Sequence, residues 1–113
     1  MKNINDRLEN EELSAVQFVQ DYVQLHFQDK GFTFYIWPTI QFDGCLYEFG
    51  NIDYRNKICE IIGEKIEKIS IVETEQLIIH FNNAKIIENI NPKNPKIISD
   101  ICIFQDGEDF WIW

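Results

Sequence analysis

No apolar run in the chain approaches the roughly 20 residues that a membrane-crossing helix requires. Its opening, MKNINDRLENEEL, is polar and acid-rich, whereas an export signal would be basic and then apolar. Neither a membrane span nor an export signal is therefore expected, and the expected localisation is cytoplasmic. Cysteine is scarce: Cys45, Cys59 and Cys102 are odd in number, widely spaced and never arranged as C-x-x-C. That pattern offers neither a disulfide framework nor metal-ligand spacing, so each is expected as a small buried hydrophobe, with no metal and no cofactor. A Gly-rich phosphate loop, a nucleophile elbow and an H-E-x-x-H pair are also missing. The hydroxyl residues Ser14, Ser70, Ser99, Thr33, Thr39 and Thr74 stand in no recognisable nucleophile setting. With no reaction indicated, the expectation is a binding protein rather than an enzyme.

Positive charge is in short supply. The chain carries 10 Lys and Arg against 19 Asp and Glu, a formal net charge of −9. Such a surface repels nucleic-acid phosphates and anionic membranes and attracts basic proteins or cations. Direct nucleic-acid binding and membrane binding are accordingly not expected. Net charge of this size also keeps a small protein soluble whatever its partners.

What the sequence does contain is enough apolar material for one core. At 113 residues, 45% hydrophobic and 14% aromatic, the chain has the size and composition of a single self-folding domain. Its most specific feature is an internal repeat. Placing His26 on His80 aligns Val23 with Leu77, Leu25 with Ile79, Phe27 with Phe81, Phe32 with Ile86, Ile36 with Ile90 and Pro38 with Pro92, all 54 residues apart. Upstream, Ala15–Val19 faces Lys68–Val72 after a shift of one residue. The repeats run over about 14–49 and 67–113, and 14–38 should superpose on 67–92 as three antiparallel strands each.

Alternation supports strands, since Val23, Leu25 and Phe27 interleave with Tyr22, Gln24 and His26 at a period of two. Turn chemistry follows at Gln28–Gly31 and at Asn82–Asn83. Two hairpins are expected, one around Asp43–Gly44 and one around Asp106–Gly107, giving about five strands in each half. Between the halves, Asp53–Gly63 reads as a short helix, with Asp53 capping its first turn, Tyr54, Ile58, Ile61 and Ile62 as its apolar stripe and Gly63 as its left-handed stop. A weaker helical pattern covers Asp6–Leu13, and the two prolines of Asn91–Lys96 mark a loop. The fold class is therefore α+β, mainly β: two related antiparallel β-meanders with one short helix between them.

Three groups of residues are candidates for function. His26 and His80, at matching positions, could share a metal, but they lie on the face opposite the apolar stripes, where a solvated histidine is ordinary. On that same face of the first half lie Tyr22, Gln24, Thr33, Tyr35 and Trp37, either an interface or a second core layer beneath the helix. Acids gather at turns: Asp21 between the first two strands, Glu73 and Glu75 at the matching turn, and Asp106, Glu108 and Asp109 in the last hairpin. Beside Tyr22, Phe110 and Trp111 these acids could dock a basic groove. The expected partner-binding set is Asp21, Tyr22, Glu73, Glu75, Asp106, Glu108, Asp109 and Trp111.

The segments Phe18–Leu25 and Ile62–Ile66, set in a small, acidic, strand-rich chain, resemble the immunity proteins of bacterial contact-dependent inhibition and other polymorphic toxin systems. The resemblance covers under a third of the chain and transfers no binding residue. It implies a stoichiometric inhibitor that occludes a basic cognate toxin domain, often a nuclease. Two other readings stand beside it: a small-molecule-binding β-barrel or half-barrel, and a homo-oligomer whose aromatic face is a self-interface.

Overall fold

Alternating apolar residues become strands because one face of each can be buried while the other stays wet. The computed structural model describes residues 3–98 and 100–113. Within them run α1 (Ile4–Leu8), β1 (Ala15–Phe18), β2 (Val23–Phe27), β3 (Lys30–Phe34), β4 (Thr39–Phe42) and β5 (Cys45–Tyr47), then α2 (Tyr54–Cys59), β6 (Lys68–Val72), β7 (Gln76–His80), β8 (Ala84–Asn89), β9 (Cys102–Asp106) and β10 (Asp109–Ile112). The protein is mainly β, as expected. No helix among the described residues is long and apolar enough to cross a membrane.

The two meanders pair in corresponding registers. Val23 faces Phe34 and Leu25 faces Phe32 in the first. Leu77 faces Glu88 and Ile79 faces Ile86 in the second, each residue 54 further on. The one-residue shift upstream is also present, with Phe18 opposite Val23 and Ile71 opposite Leu77.

The hairpins are exchanged between the halves. The sheets have strand orders β1-β2-β3-β9-β10 and β5-β4-β8-β7-β6, so each meander is extended by the hairpin from the other half of the chain. Phe32 and Phe34 of β3 pair with Phe104 and Cys102 of β9, while Ile86 of β8 pairs with Ile40 of β4. The first hairpin turns through Asp43 (φ 49°) and Gly44 (φ 81°), the two left-handed residues that match strand twist. The second turns through Gly107 (φ 63°) and Glu108, so Asp106 is the last residue of β9 and not a turn residue as its sequence suggested.

The inner faces of both sheets meet in one core that includes Leu25, Phe27, Phe32, Phe34 and Phe104 from the first sheet and Ile40, Leu77, Ile79 and Ile86 from the second. Both helices serve this core instead of covering an outer face. α1 packs on β6 and buries Ile4 and Leu8, whereas α2 packs on β4 and β1 and buries Tyr54 and Ile58. Of the two readings of the Tyr22–Tyr35 face, the second core layer beneath the helix is therefore not the one the described residues form. Asp53 makes no side-chain capping bond, and Ile62 is exposed, so the stripe of α2 is completed by Ile61 alone. α1 begins earlier than Asp6, because Asn3 caps it by accepting from the Asp6 N–H.

After each helix a left-handed residue, Asn10 (φ 67°) or Gly63 (φ 97°), turns the chain toward the other half. The Gly63 N–H donates to the Leu13 carbonyl at 2.8 Å, and the Asn10 N–H donates to the Ile66 carbonyl at 2.9 Å. Glu12 and Lys65 face each other between these bonds. The two halves thus clasp through equivalent residues 53 apart.

Candidate functional site

At the end of β3 the ladder stops, and the side chains there assemble the most distinctive surface of the molecule. The N–H groups of Tyr35 and Ile36 both turn to the Ile101 carbonyl, and Pro38 cannot donate to a neighbouring strand. The chain crosses from one sheet to the other here, which breaks the period-two parity. Trp37 consequently leaves the outer face expected for it and stacks on Phe49 (ring centroids 4.3 Å) and on Phe18 (6.2 Å). Tyr54 of α2 closes the cluster, edge-on to Phe49, with its hydroxyl donating to the Pro38 carbonyl. Burial, with the nearby Glu88 carboxyl, pushes that hydroxyl well above the usual tyrosine range, so it remains a donor.

A cleft of about 360 Å³ opens between Tyr35, Trp37 and Phe49, floored by Ile36 and Thr39 and bordered by Glu48 and Lys96. A second hollow of about 290 Å³ continues it past Tyr35 and Ile36 to Asp21, Ile98 and Asp100. Tyr22 leans on Tyr35 at 5.8 Å. Tyr35 is 40% and Phe49 53% exposed, an unusual investment of aromatic area in contact with water.

Of the expected partner-binding set, Asp21 and Tyr22 come to this cleft, beside Tyr35 and Trp37 of the expected aromatic face. Glu73 and Glu75 flank Thr74 (φ 62°) at the equivalent turn of the second sheet, all exposed. Asp106 and Asp109 lie at the opposite end of the first sheet from Asp21 and are engaged by Arg7 at 2.9 and 2.8 Å. Trp111 lies beneath the same guanidinium, 5.0 Å from it, and Glu108 is exposed in the turn beside them. The acids and aromatics thus divide into separate places. Phe49, Glu48, Lys96 and Asp100 were not anticipated, since only contacts across the chain bring them to Tyr35.

Lys30 pairs with Glu11 at 2.8 Å, and Lys57 with Glu60 at 3.2 Å. With Arg7 also engaged, three of the scarce basic groups are spent on internal acids, and the rest of the surface is left strongly acidic.

The histidines occupy outer faces of different sheets. His80 Nε2 lies 2.9 Å from Ser70 Oγ, and His26 Nε2 lies 3.1 Å from Gln17 Oε1. These are equivalent cross-strand bonds in the two meanders. Burial, aided by Lys68 and Lys85, holds His80 below its ordinary pKa. All three cysteines are free; Cys102 is buried, but Cys45 and Cys59 are exposed, contrary to expectation, because β5 is an edge and Cys59 ends the outer side of α2. No group of three or more His, Cys, Asp or Glu among the described residues is placed to hold a metal ion.

Comparison with known protein families, curated proteins and solved structures finds no match to this chain.

Proposed function

We propose that this chain is a stoichiometric binding protein that neutralises a basic protein, in the manner of an immunity protein acting on a toxin domain, and that the partner docks on the cleft between Tyr35 and Phe49. One observation carries the reading: exposed aromatic rings, anchored from behind by Phe18 and Tyr54, are bordered by Asp21, Glu48 and Asp100, which outnumber the base Lys96 beside them. Rigid aromatics bury large area with few rotamers to freeze, and an acid rim speeds the approach of a cationic surface. A lysine or arginine entering the cleft would meet ring faces and carboxylates together. Covering the phosphate-binding surface of a nuclease in this way would stop it without any reaction on the inhibitor's side.

The test is co-purification with the product of the adjacent gene, followed by binding kinetics. Tyr35→Ala and Phe49→Ala should speed dissociation, each by about 1–3 kcal/mol if it is a hot spot. Asp21→Lys with Asp100→Lys should slow association, as added salt should. A partner that is not basic, or kinetics indifferent to all four changes, would remove the basis of the reading. The cleft volume also suits a small molecule, since ligand sites begin near roughly 300 Å³. Native mass spectrometry showing a stoichiometric ligand on the purified chain would favour that alternative.

A further inference from the structure

The geometry points to β10 as the edge through which two copies of this chain pair, forming one continuous ten-stranded sheet across a twofold axis. The phase of the ladder supplies the first argument. Cys102 and Trp113 exchange hydrogen bonds at 2.9 and 3.4 Å, and the hairpin register makes Phe104–Trp111 and Asp106–Asp109 bonded pairs as well. Phe110 and Ile112 then belong to the non-bonded pairs, so their N–H and C=O groups point away from β9. No hydrogen bond reaches these groups among the described residues, and both side chains are exposed, at 56% and 61%.

The other three edges are capped, flanked by a helix, or short. Asn5 lays its side-chain amide along β6, donating to the Ile69 carbonyl at 3.0 Å and accepting from the Ile69 N–H at 2.7 Å, as a neighbouring strand would. α2 packs on β1, with Arg55 over Phe18. β5 has only three residues, and Lys57 lies over Tyr47. On β10 the one such cover among the described residues is Arg7, which sits over the Trp111 ring on the core side and leaves the outward backbone open.

The strand is also self-complementary. With Trp111 on the twofold axis, Phe110 faces Ile112 of the second copy, and every outward N–H and C=O of the two residues finds a partner. Side-chain parity agrees, because Phe110 and Ile112 share the outer face and form an aromatic–β-branched pair. Charge agrees as well. Asp109, already paired with Arg7 at 2.8 Å, falls opposite Trp113 of the second copy, so no acidic side chain faces another within the strands. An interface of this length belongs with small, reversible ones, for which a dissociation constant of roughly 10–100 μM is expected.

Sedimentation equilibrium of the full chain from about 10 μM to 1 mM should show a monomer–dimer equilibrium, reading the affinity range above. Because each copy carries −9, raising salt toward about 0.5 M should tighten the dimer several-fold, the opposite of its effect on a basic partner. Ile112→Pro removes an outward N–H while leaving the bonds to β9 intact, and Phe110→Lys places a charge in the interface. Each should weaken association at least tenfold with the melting temperature of the monomer preserved. If Ile112→Pro fails to fold, Phe110→Lys decides. A chain that stays monomeric at the highest concentration and salt, or a dimer that persists in Phe110→Lys, overturns the proposal.

Discussion

Glu88 holds in the second meander the position that Phe34 holds in the first. Phe34 faces Val23 and Glu88 faces Leu77, 54 residues on in each case, and both side chains are buried, at 0% and 1% exposure. Neither carboxyl oxygen of Glu88 has a hydrogen-bond partner. Burial pushes its pKa up to about 9, against the opposing pull of the nearby Asn89 backbone N–H. Glu88 is thus a neutral acid at neutral pH.

A stability profile against pH follows. The unfolded carboxyl titrates near roughly 4.3, so between there and about 9 the folded state holds a proton that the unfolded state has released. Stability contributed by this group is complete below the lower value and falls as pH rises, by at most about 1.4 kcal/mol per pH unit, until it levels off above the upper value. Denaturant unfolding of the native chain and Glu88→Gln across this range should show the steeper decline in the native chain. Parallel profiles would mean that the carboxyl is solvated in the folded protein.

Replacing the acid by an apolar side chain removes a buried polar group that no partner satisfies. Glu88→Leu, close in volume, should stabilise the protein by about 1–3 kcal/mol at pH 4, where little of the linkage to pH has set in, and by more as pH rises. A loss of stability by calorimetry would show that Glu88 has a partner that geometry does not reveal.

Asn5 stabilises as a strand substitute, because its amide meets both backbone groups of Ile69. Asn5→Ala should cost about 1–2 kcal/mol for two lost bonds to partly buried groups. It should also open the β6 edge, raising aggregation on prolonged incubation above that of the native chain. A substitution with neither effect would leave that edge guarded by α1 alone.

How much of this was legible in the sequence depended on range. The period-two pattern from Val23 to Phe27 and its echo at Leu77–Phe81 gave both meanders, because alternation survives wherever one face is buried. The hairpin exchange was not legible, since the alternation of Ile40–Phe42 says which face is buried and not which sheet receives it. Trp37 escaped parity because Pro38 ends the strand before it. Asp106 and Asp109 read as free acids only because Arg7, about 100 residues earlier, gives no local sign of claiming them. Cys45 and Cys59 were misplaced for a simpler reason: residue type predicts burial on average, and the edge strand and helix end that expose them are tertiary facts.

The exchange of hairpins carries the last prediction. β4–β5 is bonded to β8 and β9–β10 to β3, so each half of the chain completes its own meander only by lending its hairpin to the other. Between the halves the chain passes through an exposed turn containing Gly50 (φ 105°) and Ile52, which is 95% exposed, so a break there removes no core contact. Fragments 1–51 and 52–113, expressed together, should co-purify in a 1:1 complex with strand content and core aromatic signals like those of the intact chain. Its stability should depend on concentration, since cutting the connection turns an intramolecular closure into an association. Each fragment alone should lack a cooperative transition, because its meander would expose the face that the other sheet covers and its hairpin would have no strand to join. A fragment 1–51 that unfolds cooperatively as a monomer would show that the first meander and hairpin fold back on each other, and that the exchange is not needed for stability.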